Sequence, residues 1–137
     1  GDVGIGTSSP ASKLEVEGVI SSSGANLTMK DNSGNNITSA SQSEGKITVT
    51  HNYHQVTHNA GDDTNDVRLH TIDGGVDGAI LVLKQQSNDK FVKIMDGTGN
   101  LRLAGSSGDF QMTTGNDTIT FIYSGSLWFE ISRSDNA

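Results

Sequence analysis

The sequence predicts an all-β protein whose C-terminal part is a β-sandwich or a jelly-roll-like head. Short segments in which apolar and polar residues alternate recur along the chain, and helical periodicity is almost absent. Gly, Asn, Asp and Ser separate these segments and supply the backbone conformations that turns require. In the second half the segments recur at intervals of roughly 8–12 residues, which is the spacing of sandwiches and barrels.

The N-terminal third contains two short predicted strands followed by a polar stretch. The strands span residues 13–17 and 26–30, and each places two apolar residues on one face. Residues 31–45 are nearly all small and polar, so they are either a flexible linker or an extended stretch wound against neighbouring chains. We therefore predict a stalk or connector segment over residues 1–45 and a C-terminal β head domain over residues 46–137.

The predicted strands of the head are denser and more apolar. Residues 79–83 form a continuous apolar run, as expected for a strand that is covered on both faces. Trp128 and Phe129 are adjacent, so in a strand they point to opposite faces, one to the core and the other to a subunit contact. Stacking on a sugar ring is the alternative use of these aromatic groups. The predicted head strands are residues 46–50, 67–72, 79–83, 91–95, 101–103, 109–112, 118–123 and 127–131.

The composition indicates that a single chain has little apolar surface. Hydrophobic residues make up 32% of the chain and aromatic residues 5%. Burial of so little apolar surface opposes the conformational entropy of the chain only weakly. We expect either partial disorder or a core that neighbouring chains complete, and the regular alternating segments favour the second.

The charge and the cysteine count exclude several classes of partner. The formal net charge is −7, from nine Lys and Arg against sixteen Asp and Glu, which argues against nucleic acid and against docking on an anionic membrane by charge alone. There is no cysteine, hence no disulfide framework and no thiolate metal site. No apolar run approaches the roughly 20 residues that span a bilayer, so membrane insertion is not expected.

Two segments resemble structural proteins of tailed bacteriophages. Residues 1–18, GDVGIGTSSPASKLEVEG, resemble the G-(N/D)-V-G-I-G-T-(T/S)-x-P-x-x-K-L-x-V-x-G segment of phage fibres, spikes and adhesins. Residues 78–136 resemble C-terminal domains of phage structural proteins, with matching GAILVLK and DGTGN stretches and a WFEISRSDN ending. The resemblance implies an extended homotrimeric fibre of an extracellular virion. Its implied partners are sister chains, the rest of the phage fibre and a bacterial surface receptor.

The function implied by the resemblance is structural and adhesive. A distal trimeric segment would contribute to binding a host glycan or surface protein, with threefold presentation raising avidity. The alternatives are a purely architectural fibre or decoration segment of the virion and, third, a glycan-degrading tailspike. An enzyme is not expected, because the chain has no G-x-S-x-G elbow and nothing in the sequence pairs a glutamate with an aspartate across a sugar site.

Candidate receptor contacts lie in two polar loops of the head, residues 51–66 and 73–78. Their polarity alone selects them. The candidate residues are His51, Tyr53, His54, His58, Asp62, Asp63, Asp73 and Asp77.

The histidines and aspartates also invite a metal hypothesis. If the histidine-rich segment is a strand, His54 and His58 share a face with Val56. Some trimeric phage fibres bind iron through an H-x-H pair, which this chain lacks; one axial histidine per chain would still give a three-nitrogen site. We favour exposed polar residues in a loop-rich segment, and the acidic residues lack the spacing of a calcium loop. We therefore predict no metal and no cofactor.

Overall fold

A computed structural model describes residues 1–16, 26–31, 33–36, 44–60, 67–105 and 108–136. These residues form strands, turns and loops and contain no helix, so the predicted all-β class is confirmed. Within the same residues, no helix has the length and apolar character needed to cross a membrane.

Twelve strands are present among the described residues. Ten of them coincide, within a few residues at each end, with the strands predicted from the alternating pattern, and β1 and β5 are the additions. The strands are β1 Val3–Ile5, β2 Leu14–Val16, β3 Asn26–Thr28, β4 Gly45–Thr48, β5 Tyr53–Thr57, β6 Arg68–Asp73, β7 Ile80–Gln85, β8 Val92–Ile94, β9 Leu101–Arg102, β10 Phe110–Met112, β11 Thr118–Ser124 and β12 Leu127–Ser134.

The chain winds between two sheets in a β-solenoid-like arrangement. Strands β3, β5 and β7 lie side by side and parallel in a six-stranded sheet, while β4, β6 and β8 lie parallel in a four-stranded sheet. Successive strands therefore alternate between the sheets, and each coil stacks on the one before it. The finer expectations, a jelly-roll-like head and a homotrimer, are not shown by this topology.

Antiparallel strands follow the parallel coils. The hairpin β11–β12 pairs with β7, and β9 lies parallel to β12 at the far edge, which gives the order β3-β5-β7-β11-β12-β9. In the other sheet β10 is antiparallel to β8, and the order is β10-β8-β6-β4. The β11–β12 ladder contains a β-bulge between Thr120 and Phe121 that leaves Ile131 without an opposite residue.

One hydrophobic core lies between the two sheets. The strands of these two sheets turn alternate residues toward it, and a fully buried aliphatic side chain stabilises the fold by about 1.5–3 kcal/mol. Trp128 is the largest buried side chain, and the rings of Phe121 and Tyr123 pack edge-on against it. Further members of the core are Met29, Ile47, Val56, Leu69, Ile72, Leu81, Leu83, Val92, Ile94, Leu101, Met112 and Ile119.

A side-chain amide joins the two sheets where β6 extends past the end of β8. The β6–β8 ladder pairs Arg68 and Leu69 of β6 with β8 and ends there. The backbone of Ile72 therefore has no partner on β8. Asn100, just before β9, accepts a hydrogen bond from the Ile72 N–H at 2.9 Å and donates one to the Ile72 carbonyl at 2.8 Å. Trp128 Nε1 donates to the same carbonyl at 2.9 Å. The asparagine of the DGTGN turn thus completes the edge of the opposite sheet.

The N-terminal part divides differently from the predicted stalk. Strands β1 and β2 form their own two-stranded parallel sheet. By contrast, β3 lies in the six-stranded sheet and Met29 is fully buried in the core, although both precede the boundary predicted after residue 45. Most of the predicted linker, residues 32 and 37–43, lies outside the described residues.

Candidate functional site

A pocket opens at the end of the two-sheet body where β4 connects to β5 and β6 to β7. Its volume is about 250 Å³. Thr50, His51 and Asn52, in the first loop between β4 and β5, form a polar rim. Side chains of the second loop, between β6 and β7, and of the first residue of β7 form an apolar wall. The wall residues are Val76, Ala79 and Ile80.

A buried histidine shapes the first loop. His54 Nε2 accepts hydrogen bonds from the N–H groups of Thr50 and His51, both at 3.2 Å. The Thr50 hydroxyl lies 2.9 Å from His51 Nδ1, and the His51 and His54 rings meet edge-on with centroids 5.8 Å apart. Because these contacts fix the turn, the exposed His51 ring is held at the rim of the pocket.

Two glycines allow the second loop to approach the body closely. Gly74 has a φ of 93°, and a Cβ there would lie 2.2 Å from the Val49 carbonyl oxygen. A Cβ on Gly75 would lie 2.3 Å from the Tyr123 ring. Asp77 then accepts a hydrogen bond from the Gly125 N–H at 2.9 Å, which ties the loop to the β11–β12 turn.

Strand β6 delivers Asp73 to the same end of the body. The Val49 N–H donates to the Asp73 carbonyl at 2.9 Å, and the Asp73 carboxylate lies 3.7 Å from Lys46 Nζ. Both side chains of this ion pair are partly exposed, so the pair stabilises the fold only weakly.

The structure brings part of the predicted contact set together. His51, Asp73 and Asp77 lie at the pocket end of the body, on the two loops that the polarity selected. Tyr53 is half-buried on the outer face of the six-stranded sheet, where it pairs with Val82. The predicted contacts Asp62 and Asp63 lie outside the described residues.

His54 and His58 are buried, so the expectation of exposed polar residues in a loop is wrong for them. The segment is strand β5, and its alternation turns both histidines and Val56 toward the core, as predicted for the strand case. His58 Nε2 lies 3.1 Å from the Phe91 carbonyl. Burial lowers the pKa of His58, which outweighs the raising effect of that carbonyl, and the charge of Lys90 lowers it further.

Sequence reasoning missed the apolar half of the pocket. The loops were selected for polarity, which passes over Val76 although its side chain is 71% exposed. A large apolar residue in a glycine-rich loop was the available signal. Trp128, assigned to a core or an interface with sugar stacking as the alternative, also borders the pocket.

The lining suits an uncharged ligand with both polar and apolar surfaces. His51 is its only titratable residue, and the lining contains no carboxylate. Across the described residues, no three His, Asp or Glu side chains converge as metal ligands would. A sugar ring fits this chemistry, since its C–H face can pack on the apolar wall while its hydroxyls reach Thr50, His51 and Asn52.

No protein-family model and no curated protein matches this sequence.

Proposed function

We propose that this chain is a structural and adhesive segment of a homotrimeric bacteriophage fibre, located on the extracellular virion and joined to the rest of the fibre. The adhesive part of this proposal is supported by two loops that meet at one pocket. Residues 49–52 and 74–79 are far apart in the sequence, yet they line one pocket at one end of the body. Loops at the end of a rigid β scaffold are a common location for recognition.

The ligand we propose is an uncharged sugar unit of a bacterial surface glycan. A polar rim beside an apolar wall matches the two kinds of surface on a sugar ring, whereas a phosphate or carboxylate ligand would call for fixed cations. A shallow pocket binds one sugar unit weakly. Three copies on one fibre raise the effective affinity through avidity.

A binding assay with matched variants tests the proposal. Fluorescently labelled chain is incubated with susceptible bacteria and with resistant mutants that lack the surface glycan. We expect wild-type protein to label only the susceptible cells. His51→Ala and Val76→Asp should each lower bound fluorescence at least about tenfold, because each removes one half of the pocket and trivalent binding multiplies the loss.

Asp89→Ala is the control for these variants. Asp89 is exposed in the turn after β7, at the other end of the strand from Ile80, and its substitution should leave labelling unchanged. Equal labelling by wild type, His51→Ala and Val76→Asp would contradict the assignment of the pocket.

A purely architectural segment of the fibre is the second candidate. The two-stranded sheet β1–β2 favours it, because Val3, Ile5 and Leu14 expose apolar side chains that suit a contact with another chain of the fibre. Trimeric protein that labels no susceptible strain would support this candidate over adhesion. Release of reducing sugar from the host glycan would instead support a glycan-degrading spike.

A further inference from the structure

The outer face of the six-stranded sheet carries an apolar patch. Ile80 of β7 pairs with Ile122 of β11, and Ile122 pairs with Phe129 of β12, so the three side chains form a row across three strands. Val82 lies two residues along β7 from Ile80, and Ile131 occupies the β-bulge of β12. These five residues are called the apolar face below, and Ile80 is its end nearest the pocket, whose wall it also forms. Ile80, Phe129 and Ile131 are 42%, 40% and 53% exposed in the single chain.

Apart from the ring of Tyr53, the rest of the outer surface of the two sheets is polar. On the outer face of the six-stranded sheet, β3 and β5 present Thr28, Tyr53, Gln55 and Thr57, and Lys84 of β7 and Arg102 of β9 border the apolar residues. On the outer face of the four-stranded sheet, β6 and β8 present Arg68 and Lys93 in neighbouring positions. The apolar residues are therefore not a general feature of this surface but are confined to three adjacent strands.

The charge distribution points to the partner. The chain has a net charge of −7, yet the six strands of this sheet contain one carboxylate, Glu130. Its side chain is only 3% exposed and is paired with Arg133 at 2.5 Å. Two copies of this acidic chain would repel each other through most surfaces, but this face brings no exposed carboxylate to a contact.

The strand sequence gives an independent reason for a covering partner. A continuous apolar run such as residues 79–83 is typical of a strand that is buried on both faces. In the single chain, Leu81 and Leu83 are buried whereas Ile80 remains exposed, so only one face of β7 is fully covered. The missing cover must be apolar at its centre.

We propose that the apolar face is the surface through which copies of this chain contact one another in the fibre. This inference rests on the proposed homotrimer and names the residues that form it. An apolar centre with a polar rim of Gln55, Lys84, Arg102, Thr120 and Ser132 is the usual anatomy of an interface between subunits.

The test compares molar masses in solution by light scattering, using the 137-residue chain and single variants. One copy has a mass of 14.4 kDa, so a trimer has a mass of about 43 kDa. Ile122→Lys and Phe129→Lys each place an unpaired cation at the centre of the contact. Each should raise the dissociation constant about a hundredfold or more, because a buried unpaired charge is costly.

Two further variants serve as controls. Thr57→Lys adds the same charge to the polar part of the same sheet face and should leave the mass of the trimer unchanged. Leu14→Lys tests the other exposed apolar surface, on β2. The fluorescence of Trp128, the only tryptophan, reports whether each variant is folded, because Trp128 is buried directly beside Phe129.

The outcomes separate the interface from the function. A wild-type trimer that the two apolar-face variants convert to folded monomers supports the proposal. A trimer that survives both variants, or that only Leu14→Lys dissociates, overturns the assignment of this face and leaves the trimeric fibre intact. A wild-type mass of 14.4 kDa at every concentration overturns the homotrimer itself, whatever the result of the bacterial binding assay.

Discussion

Replacement of Asn100 should show how much stability one side-chain amide contributes to the junction of the two sheets. Asn100→Ala removes the acceptor of the Ile72 N–H and one of the two donors to the Ile72 carbonyl. Ile72 is fully buried, and a buried N–H left without its acceptor costs about 1–3 kcal/mol. The carbonyl keeps its bond from Trp128, so the second loss is smaller. We expect the free energy of unfolding to fall by about 2–3 kcal/mol in all.

Urea unfolding followed by Trp128 fluorescence measures this change, at one fixed protein concentration because self-association would add to the stability. Asn88→Ala is the matched control. It removes the single hydrogen bond that the Gly115 N–H donates to the Asn88 side-chain oxygen in an exposed turn, and it should cost no more than about 1 kcal/mol. A loss for Asn100→Ala as small as that of Asn88→Ala would refute the argument.

Asn100→Asp tests the donor separately. The carboxylate keeps an acceptor for the Ile72 N–H but has no hydrogen to offer the Ile72 carbonyl at neutral pH. A carboxyl group that gains a proton becomes a donor again. The stability deficit of this variant relative to wild type should therefore shrink as the pH is lowered from 7 toward 4, and a constant or growing deficit would contradict the donor role.

Three further predictions concern burial and backbone strain. Burial lowers the pKa of His58, so acidification below its ordinary value of about 6.5 should destabilise wild type more than His58→Gln in urea titrations at pH 7.5 and 5.5. Burial raises the pKa of Asp117, but the hydrogen bonds it accepts outweigh this and the pKa is lowered. Asp117→Asn should therefore cost about 1.5–3 kcal/mol at pH 7, and the difference should vanish as the pH falls through that lowered pKa. Gly74→Ala should destabilise by about 2 kcal/mol or more in the same assay, and by more than Gly78→Ala, since both have positive φ but only Gly74 would clash with Val49.

The strands were predictable because alternation directly records which face is buried. Residues 118–123 and 127–131 carry that pattern so clearly that the predicted bounds nearly match β11 and β12. The winding was not predictable in the same way. Parallel pairing of β5 with β7 joins residues some 30 positions apart, and no local turn signal encodes it. A turn-rich sequence with frequent short strands fits an antiparallel sandwich equally well.

The candidate site was predictable only as far as polarity marks loops. His51 and Asp77 were selected in this way, and they do lie beside one pocket. The same criterion selected His54, whose role depends on two backbone N–H groups that a sequence does not display. It passed over Val76 because a search for polar residues cannot select an exposed apolar one.

The location of the core changes what a trimer of this chain would have to supply. The composition led us to expect a core completed by neighbouring chains, but the two sheets enclose a continuous apolar cluster within one chain, from Met29 to Trp128. In the proposed trimer, neighbours would cover the apolar face and would not have to build the interior. Subunits that each enclose their own core can separate without unfolding. Entwined subunits, whose chains share one core, cannot, and this difference is measurable. Phe129→Lys should therefore give a monomer whose Trp128 emission stays that of a buried indole, whereas an entwined trimer would unfold as it dissociates.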